Sequence, residues 1–335
     1  MAIYYIGSFP PVYGGVTIKN KYLYDALSQE LDIRKIDMNR VKRGSIREVL
    51  RLVWALLTGK QFVIGLAGQK NRRMFTKFFH ALKRKAMSRS VLMVMGGSVD
   101  DMVAAGPDFL RKANCYRRIF VELPAMEQKL TAAGLTNAAI YPNGRPRPQT
   151  SVSFVPADEA LRCVFFSIIR PEKGVDLILE AAKQLPQMQF HFYGEIQPSY
   201  ADAFRTGMEG KPNLFYHGVF TGSSEDVYQE LGQYDLLLLP TRWKGEGLPG
   251  ILVEAKIAGV PAIVSDHNYN REIVAHETDG IVLEETSAET LCAALTLFDR
   301  NREQLRNMKQ ASRHSAERYL IDVCVREVLR ALQGG

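Results

Sequence analysis

One stretch of the chain decides most of the interpretation: Leu236-Leu-Leu-Leu-Pro240-Thr-Arg-Trp-Lys-Gly-Glu246-Gly-Leu-Pro-Gly250-Ile-Leu-Val-Glu254-Ala. Four leucines followed by a proline are typical of a buried parallel strand that ends at Pro240. A loop carrying Glu246 follows, and the Gly247–Gly250 turn leads into a helix expected to begin near Ile251. Because ligands bind beyond the carboxyl ends of parallel strands, this loop is expected to border a ligand crevice.

The glycines and acids of this stretch suit a sugar nucleotide. Gly247 and Gly250 would let the backbone approach a ligand closely, and the free N–H groups of a helix start bind anions. A carboxylate accepts hydrogen bonds from two neighbouring hydroxyls, so Glu246 and Glu254 would suit a hexose or a ribose. The same residues could instead form a plain turn followed by a solvated acid, an alternative that the stretch alone leaves open.

A second element follows the strand predicted over Arg162–Ile169. The sequence Arg170-Pro-Glu-Lys173 places two cations on a strand-to-helix turn, ahead of an amphipathic helix predicted over Val175–Leu185. Both cations would lie at the ligand edge of the sheet, where they could neutralise a diphosphate and the charge that develops as it leaves. The alternative is an exposed loop in which Arg170 or Lys173 pairs with Glu172.

Near the start of the chain, Gly14-Gly15 follows the first predicted strand. It opens a predicted helix whose core face is Val16, Leu23, Leu27 and Leu31. Paired glycines at a helix start predict an anion or sugar contact, with a simple tight turn as the alternative. No GxGxxG is present there, so a dinucleotide site is not indicated. His217 follows another predicted strand, where it could approach a nucleotide base or be a partly buried structural residue.

Short apolar runs alternate with longer amphipathic stretches, which predicts βα units and parallel sheets. The strands predicted in the first half are Ile3–Gly7, Phe62–Ala67, Ser90–Met95, Arg117–Leu123 and Ala138–Tyr141. Those predicted in the second half are Arg162–Ile169, Gln189–Tyr193, Leu214–Val219, Asp235–Leu239, Pro261–Ser265 and Gly280–Leu283. The proline-rich stretch Tyr141–Pro156 separates the two sets. We therefore predict an α/β fold with two Rossmann-like domains, residues 1–156 and 157–310, and a C-terminal helical segment over 311–335.

The charge of the chain changes at the same place. Residues 1–150 hold 25 Lys and Arg against 10 Asp and Glu, a net charge of +15, whereas residues 151–335 hold 18 against 26, a net charge of −8; together they give the +7 of the whole chain. A basic half can bind nucleic acid, an anionic membrane surface or a phosphorylated ligand.

The segment Asn71–Arg89 concentrates this positive charge. Its cations are Arg72, Arg73, Lys77, Lys83, Arg84, Lys85 and Arg89, and its apolar residues at helical spacing are Met74, Phe75, Phe78, Phe79, Leu82 and Ala86. Part of such a helix must cover the sheet, and its basic side would suit an anionic membrane. A solvated basic face is the alternative. No nucleic-acid-binding fold is recognised, so nucleic acid is not predicted as a partner.

Several kinds of site are not indicated. The four cysteines lie at least 32 residues apart and the histidines show no HxH or HxxxH spacing, so neither a metal site nor a disulfide framework is predicted. Arg170 and Lys173 would replace a Mg²⁺ clamp, and chemistry without metal or cofactor is expected. No apolar run reaches the roughly 18–20 residues of a membrane span, Val49–Leu57 being the best candidate, and no leader is recognised. The protein is therefore expected in the cytoplasm.

Three elements in chain order, Gly14-Gly15-Val16, Arg170-x-x-Lys173-Gly174 and Glu246-Gly-Leu-Pro-x4-Glu254, resemble glycosyltransferase family 4, the retaining enzymes of the GT-B fold. The resemblance runs through almost the whole chain and is strongest over residues 162–284. It implies two Rossmann-like domains that face each other across a cleft, and a final helix that crosses back onto the first domain.

The resemblance also implies roles for individual residues. Arg170 and Lys173 would bind the nucleotide diphosphate, Glu246 would face the donor sugar, and Glu254 would hold the ribose. The remaining donor contacts would come from Gly14, Gly15, Val219, Gly247, Leu248, Pro249, Gly250 and Ile251. The chain departs from the family at Met95-Gly96-Gly97, where relatives often carry a histidine, and at Asn268–Val274, which in relatives is glycine-rich.

The expected activity is transfer of a hexose or N-acetylhexosamine from a nucleotide diphosphate sugar to a lipid-linked saccharide, with UDP as the expected nucleotide. Such a step belongs to the synthesis of a surface polysaccharide, such as O-antigen, lipopolysaccharide or exopolysaccharide, at the inner face of the cell membrane. Two alternatives stay open: a sugar-nucleotide epimerase of the same fold, and a nonenzymatic polyanion-binding protein.

Overall fold

The computed structural model describes residues 2–11, 14–66, 68–96, 99–152 and 160–334. They form two compact units. The first unit comprises residues up to 146, residues 245–248 and residues from 318 onward, and the second comprises 147–244 and 249–317. The predicted boundary after residue 156 falls within residues 153–159, which lie outside the described residues.

The first unit has a parallel sheet of six strands, within the described residues, in the order β2-β1-β3-β4-β5-β6. The strands are β1 (Ile3–Gly7), β2 (Ile33–Asp37), β3 (Phe62–Gly65), β4 (Val91–Met93), β5 (Arg118–Val121) and β6 (Ala138–Ile140). Our prediction omitted β2. It is an edge strand, and the exposed Arg34 and Lys35 interrupt its apolar pattern.

Helices cover this sheet. They are α1 (Gly15–Glu30), α2 (Met38–Lys42), α3 (Ile46–Thr58), α4 (Gln69–Leu82), α5 (Arg84–Met87), α6 (Val99–Ala104), α7 (Pro107–Ala113) and α8 (Pro124–Ala132). The segment predicted as one basic helix over 71–89 is divided at Lys83. The backbone of Lys83 has a non-helical φ of −136°, so α4 ends there before α5 begins.

The second unit has a parallel sheet in the order β12-β11-β10-β7-β8-β9. Its strands are β7 (Arg162–Phe166), β8 (Gln189–Tyr193), β9 (Leu214–Tyr216), β10 (Leu236–Leu239), β11 (Ala262–Ser265) and β12 (Gly280–Leu283). Its helices are α9 (Val175–Gln184), α10 (Ala201–Met208), α11 (Ser224–Leu231), α12 (Gly250–Ala258), α13 (Asn270–Ile273), α14 (Ala288–Arg300) and α15 (Arg302–Ser315). Every strand predicted in this half is present, and four of the six end or begin one to three residues inside the predicted bounds.

The last helix of the chain, α16 (Ile321–Gln333), belongs to the first unit. It contacts α1 and β4, and Val325 and Val328 join Leu23 and Leu27 in one buried cluster. The division comes at residue 318 rather than the predicted 311, because α15 contacts α12 and α14 of the second unit.

The proline-rich stretch predicted as a linker starts inside the first unit. Asn143 and Arg145 are almost fully buried. The Arg145 N–H donates to the Tyr319 carbonyl at 2.9 Å, and the Ile321 N–H donates to the Arg145 carbonyl at 2.8 Å. Because this backbone is paired, the compact unit extends to Pro146. No helix in the described ranges is long and apolar enough to span a bilayer.

Candidate functional site

The turn after β7 holds the two predicted diphosphate ligands. Residues Pro171–Lys173 form one turn of 3₁₀ helix, and Gly174 ends it in the left-handed region with a φ of 80°. A Cβ atom on Gly174 would lie 2.3 Å from the Pro240 carbonyl oxygen, so the turn presses against the end of β10 and requires glycine. Lys173 is consequently only 7% exposed. The two stretches identified in the sequence therefore lie side by side.

Arg170 is held flat against an aromatic ring. Its guanidinium carbon lies 3.7 Å from the centre of the Trp243 ring, and Trp243 itself is 38% exposed. The Arg170 Nε is buried and has no hydrogen-bond partner among the described residues. A stacked guanidinium keeps its N–H edge available and loses little freedom on binding an anion, so this geometry suits a phosphate. The sequence analysis assigned no role to Trp243.

Arg242 fixes the loop that carries this tryptophan. Its side chain pairs with both oxygens of Asp176 at 2.8 Å, and its backbone N–H donates to the Glu172 carbonyl at 2.7 Å. This residue thus ties the loop after β10 to the turn after β7. The ion pair between these two loops joins Arg242 to Asp176.

The helix start after Glu246 forms where it was predicted. Pro249 caps α12, which begins at Gly250 rather than at Ile251, and Glu254 is half-buried one turn further on. Within the first unit, Glu246 is 9% exposed and Leu248 is 1% exposed. The donor contacts assigned to Gly247, Leu248, Pro249, Gly250 and Ile251 stay predictions.

The ends of β8 and β9 carry the predicted base contact. Gly194 has a φ of 139° and its Cβ would lie 1.8 Å from the Ser167 carbonyl oxygen, so the loops after β7 and β8 touch. The Gly194 N–H donates to the Gly218 carbonyl at 2.8 Å. This bond leaves Val219 59% exposed beside them. A base could therefore reach Val219 without a rearrangement.

His217 belongs to an aromatic row that crosses the same strands. The Phe166 and Tyr193 rings stack at 4.9 Å, and the Tyr193 and His217 rings at 4.6 Å. The His217 Nε2 lies 3.0 Å from Nδ1 of His191. Burial lowers the pKa of His191 to about 4 and also lowers the pKa of His217. These contacts support a structural role for His217, with His191 as a partner that the sequence could not supply. The expectation of partial burial is wrong, because His217 is exposed.

The Gly14-Gly15 start of α1 is open. Gly14 has an extended φ of 177°, and a Cβ atom on either glycine would meet nothing within 4 Å. The Thr17 hydroxyl donates to the Gly14 carbonyl at 2.9 Å. Among the described residues, neither the φ of Gly14 nor a close contact at either position requires glycine. The predicted donor contact of Gly14 and Gly15 stays a prediction.

A buried polar cluster that was not predicted lies at the carboxyl ends of β1, β3, β4 and β5. Lys19 on the inner face of α1 forms an ion pair with Glu122, and their side chains are 8% and 4% exposed. The other carboxylate oxygen of Glu122 accepts from the Gly96 N–H at 3.3 Å and from the Leu248 N–H at 3.2 Å. Asn143 donates to the Leu248 carbonyl at 3.1 Å. Both backbone groups of Leu248 are thus held by side chains of the first unit.

Two more residues complete this cluster. Asn20 accepts from the Tyr5 hydroxyl at 2.8 Å and donates to the carbonyls of Ser8 and Gly65, each at 2.9 Å. Arg72 was predicted on an exposed basic face, which is wrong: it is 1% exposed. Burial lowers the pKa of its guanidinium, and the nearby charges of Asp101 and Glu122 oppose that shift. An asparagine and a lysine at positions 20 and 19 interrupt the apolar face of α1, and that interruption was the available signal.

Metal ligands are not grouped in the described part of the chain: it has no set of three or more His, Cys, Asp or Glu that could hold an ion. Transfer without metal stays a prediction. All four cysteines are free thiols.

Comparison with known proteins gives three findings. Residues 149–315 match the family described as Glycosyl transferases group 1, a range that contains Arg170, Lys173 and Glu254. An exopolysaccharide phosphotransferase of Streptomyces coelicolor is 28% identical over 210 residues, which are 60% of this chain and 21% of that protein. A UDP-Gal:α-D-GlcNAc-diphosphoundecaprenol α-1,3-galactosyltransferase of Escherichia coli is 30% identical over 133 residues, 37% of this chain and 33% of that enzyme. The matches thus span a fifth to a third of these two relatives.

The fold has a solved counterpart along the whole chain. Anabaena HepE, crystallised in complex with UDP, superposes with a TM-score of 0.75 at 13% identity, covering 100% of both chains. This likeness confirms the predicted α/β fold of GT-B type. The matched family and the named relatives support the predicted class, a glycosyltransferase.

Proposed function

We propose that this protein is a retaining glycosyltransferase of family 4. It transfers a hexose or N-acetylhexosamine from a UDP-sugar to a lipid-linked saccharide during synthesis of a surface polysaccharide. It works without a metal ion, in the cytoplasm at the inner face of the cell membrane, and its basic first half contacts that membrane.

The observation that carries this proposal is the turn after β7. Arg170 is stacked on Trp243 with a buried Nε that no described residue satisfies, and the nearly buried Lys173 lies on the same turn. A buried N–H without a hydrogen-bond partner is costly, and a phosphate oxygen would supply a partner for the Arg170 Nε. Both cations lie at the carboxyl edge of a parallel sheet, which is where a nucleotide diphosphate is expected to bind.

Known proteins support the choice of donor and acceptor. The structure of Anabaena HepE contains UDP, and the name of the E. coli relative specifies a UDP-sugar donor and a diphosphoundecaprenol-linked acceptor. The name of the Streptomyces relative refers to exopolysaccharide, and that of an Erwinia amylovora relative refers to amylovoran biosynthesis. The same classes of donor and acceptor fit the glutamates and cations of this chain.

The proposed chemistry divides among the residues as follows. Arg170 and Lys173 stabilise the negative charge that grows on the diphosphate as its bond to the anomeric carbon breaks. The acceptor hydroxyl forms the new bond from the same face, and its proton passes to the departing phosphate oxygen. Glu246 faces the sugar, Glu254 binds the ribose hydroxyls, and the open backbone at Gly14-Gly15 approaches the donor.

Thermal unfolding with UDP, GDP and ADP tests the donor site. UDP should raise the melting temperature, since a ligand at one hundred times its Kd stabilises by about 2.7 kcal/mol. Arg170→Ala should remove most of that shift, whereas the matched control Arg205→Ala, exposed on α10, should retain it. An equal UDP shift in both variants would contradict the site.

Incubating UDP-sugars without an acceptor separates transferase from epimerase. An isomerised sugar nucleotide would establish the epimerase and overturn the proposal. Transfer that persists in excess EDTA is expected, and its loss on chelation would overturn the metal-free part.

A further inference from the structure

Helix α3 presents its large apolar side chains outward. The exposed fractions along one stripe are 76% for Ile46, 37% for Val49, 63% for Leu50, 46% for Val53, 62% for Trp54 and 70% for Leu57. These positions recur at helical spacing, so they form one continuous face. Contiguous apolar surface of this kind marks an interaction site in a native protein.

The orientation of the helix is fixed by what lies beneath it. Glu48 is 3% exposed, accepts from the Asp37 N–H at 2.9 Å and pairs with Arg51 at 3.2 Å. Ala55 is fully buried on the same side. A carboxylate and a methyl group thus face the sheet while leucines and a tryptophan face outward. This arrangement reverses the usual amphipathic pattern and cannot be relieved by rotating α3 without breaking the Glu48 contacts.

Helix α4 adds a second apolar stripe. Met74, Phe78 and Leu82, at spacings of four residues, are 62%, 37% and 69% exposed, although Phe75 and Phe79 pack inward. The Lys83 Nζ donates to the Leu57 carbonyl at 2.8 Å, which joins the end of α4 to the end of α3. We call the outward residues of α3 and α4 the apolar face.

A groove extends this face inward. Its volume is about 530 Å³, and it lies between α3 and the β1–β2 side of the sheet, where Tyr4, Ile36, Leu50 and Trp54 line it. Apolar surface is therefore available both on the helix and beneath it.

Charge decides what covers the apolar face. Residues 33–99 hold 16 Lys and Arg but only two acids, Asp37 and Glu48, and both acids are buried. Arg43 and Arg47 precede the stripe or lie along it, Lys60 follows it, and all three are exposed. A second copy of this chain would bring like charges together, whereas an anionic lipid surface would neutralise them. Trp54 among aliphatic residues is also typical of a helix at a lipid interface.

We propose that α3 is an interfacial helix that inserts its apolar face, together with the outer stripe of α4, into the headgroup–acyl boundary of an anionic bilayer. The inference deepens the proposed function, on which it rests for its membrane-bound acceptor. It assigns insertion to α3, whereas the sequence pointed to the basic segment over 71–89. The cations around the apolar face then contact lipid phosphates.

Sedimentation with vesicles tests this assignment on the full chain. Wild-type protein should sediment with vesicles of phosphatidylcholine and phosphatidylglycerol in a 7:3 ratio and much less with pure phosphatidylcholine. Trp54→Gln/Leu57→Gln should weaken partitioning at least tenfold, because both side chains are more than 60% exposed and neither change should disturb folding. A single Leu57→Gln variant has a matched control in Leu297→Gln, which changes an exposed leucine on α14. This control should bind vesicles like the wild type.

Fluorescence gives an independent reading of insertion. The chain has two tryptophans, so in a Trp243→Phe background only Trp54 reports. Its emission should shift to the blue with anionic vesicles and stay unchanged with neutral ones.

Three outcomes would overturn the inference. In the first, the wild type does not bind anionic vesicles; in the second, the Trp54→Gln/Leu57→Gln variant binds them normally; in the third, the wild type forms a lipid-free dimer that the same substitutions dissociate. Stabilisation by UDP is measured separately, on the wild type and on that variant. If UDP failed to stabilise the wild type, the proposed donor site would be contradicted and the vesicle result would still stand.

Discussion

The two units have sheets of the same size and direction but place their polar groups differently. In the second unit, Arg170, Trp243 and Arg242 lie on two loops at the sheet edge, partly open to solvent. In the first unit, Lys19 and Glu122 are buried together although 103 residues separate them in the chain. The loops of the second unit can therefore accept a ligand directly, whereas the charges of the first unit already pair with each other.

The charged groups of the two units therefore have different roles, one in ligand binding and the other in stabilising the fold. A half-exposed cation with an unsatisfied N–H contributes little to folding and much to binding. A buried ion pair with two further backbone donors fixes backbone position, and breaking it leaves a charge without compensation. The comparison therefore predicts that changes in the second unit affect transfer and changes in the first affect stability as well.

The largest effect is expected from Arg170→Ala. If Arg170 stabilises the leaving diphosphate, its removal should lower kcat by about 10²–10³-fold, equivalent to about 3–4 kcal/mol in the transition state. The melting temperature without ligand should stay close to that of the wild type, because the Trp243 ring that the guanidinium contacts is itself 38% exposed. Turnover measured with a UDP-sugar and acceptor checks the rate, and a normal kcat would remove Arg170 from the mechanism.

The second-unit site could be predicted because its residues are close in sequence. Arg170 and Lys173 share one turn, and Gly250 and Glu254 follow one strand of the same unit, so local spacing was enough to predict their positions at the sheet edge. Trp243 was visible in the same stretch, but its contact with Arg170 depends on the distance between two loops, which spacing does not give.

The first-unit cluster could not be predicted for the same reason. Lys19 and Asn20 look like ordinary polar positions of a helix, and Glu122 looks like the end of a strand, until the parallel sheet brings their elements together. Arg72 was misplaced because a cation in a basic segment suggests exposure. Likewise, the apolar run Val49–Leu57 was predicted only to be too short for a membrane span, and its orientation could not be predicted. The burial of Glu48 shows that α3 turns its apolar side chains outward.

A medium effect is expected at Glu122. Glu122→Gln should lower the free energy of unfolding by about 3 kcal/mol, because Lys19 would stay charged in a buried site without its partner. Urea denaturation followed by circular dichroism checks this. Lys19→Met/Glu122→Gln removes both charges and keeps an oxygen for the Leu248 N–H, so it should regain most of the loss. A double variant as unstable as the single one would show that the ion pair is not the cause.

The smallest effect is expected from His191, through the pH dependence of the free energy of unfolding. It would show that the second unit also contains a buried polar group that affects only stability. His191 packs between His217 and the Phe215 ring, and burial lowers its pKa to about 4 from an unfolded value near 6.5. The unfolded chain therefore binds the proton first as the pH falls, so the contribution of neutral His191 is complete above about pH 6.5. It is lost progressively toward pH 4, by about 2 kcal/mol at pH 5.

His191→Phe provides the control for this pH dependence. Phenylalanine can stack in the same row and cannot take up a proton, so the decline in stability between pH 7 and pH 5 should flatten relative to wild type. UDP binding at pH 7 should be unchanged, because the row lies beside the predicted base contact and contributes no ligand to the diphosphate. If the variant declined as steeply as wild type, the acid sensitivity of the second unit would have to come from its carboxylates. The buried His191 would then not differ measurably from the open site at the sheet edge in its effect on stability.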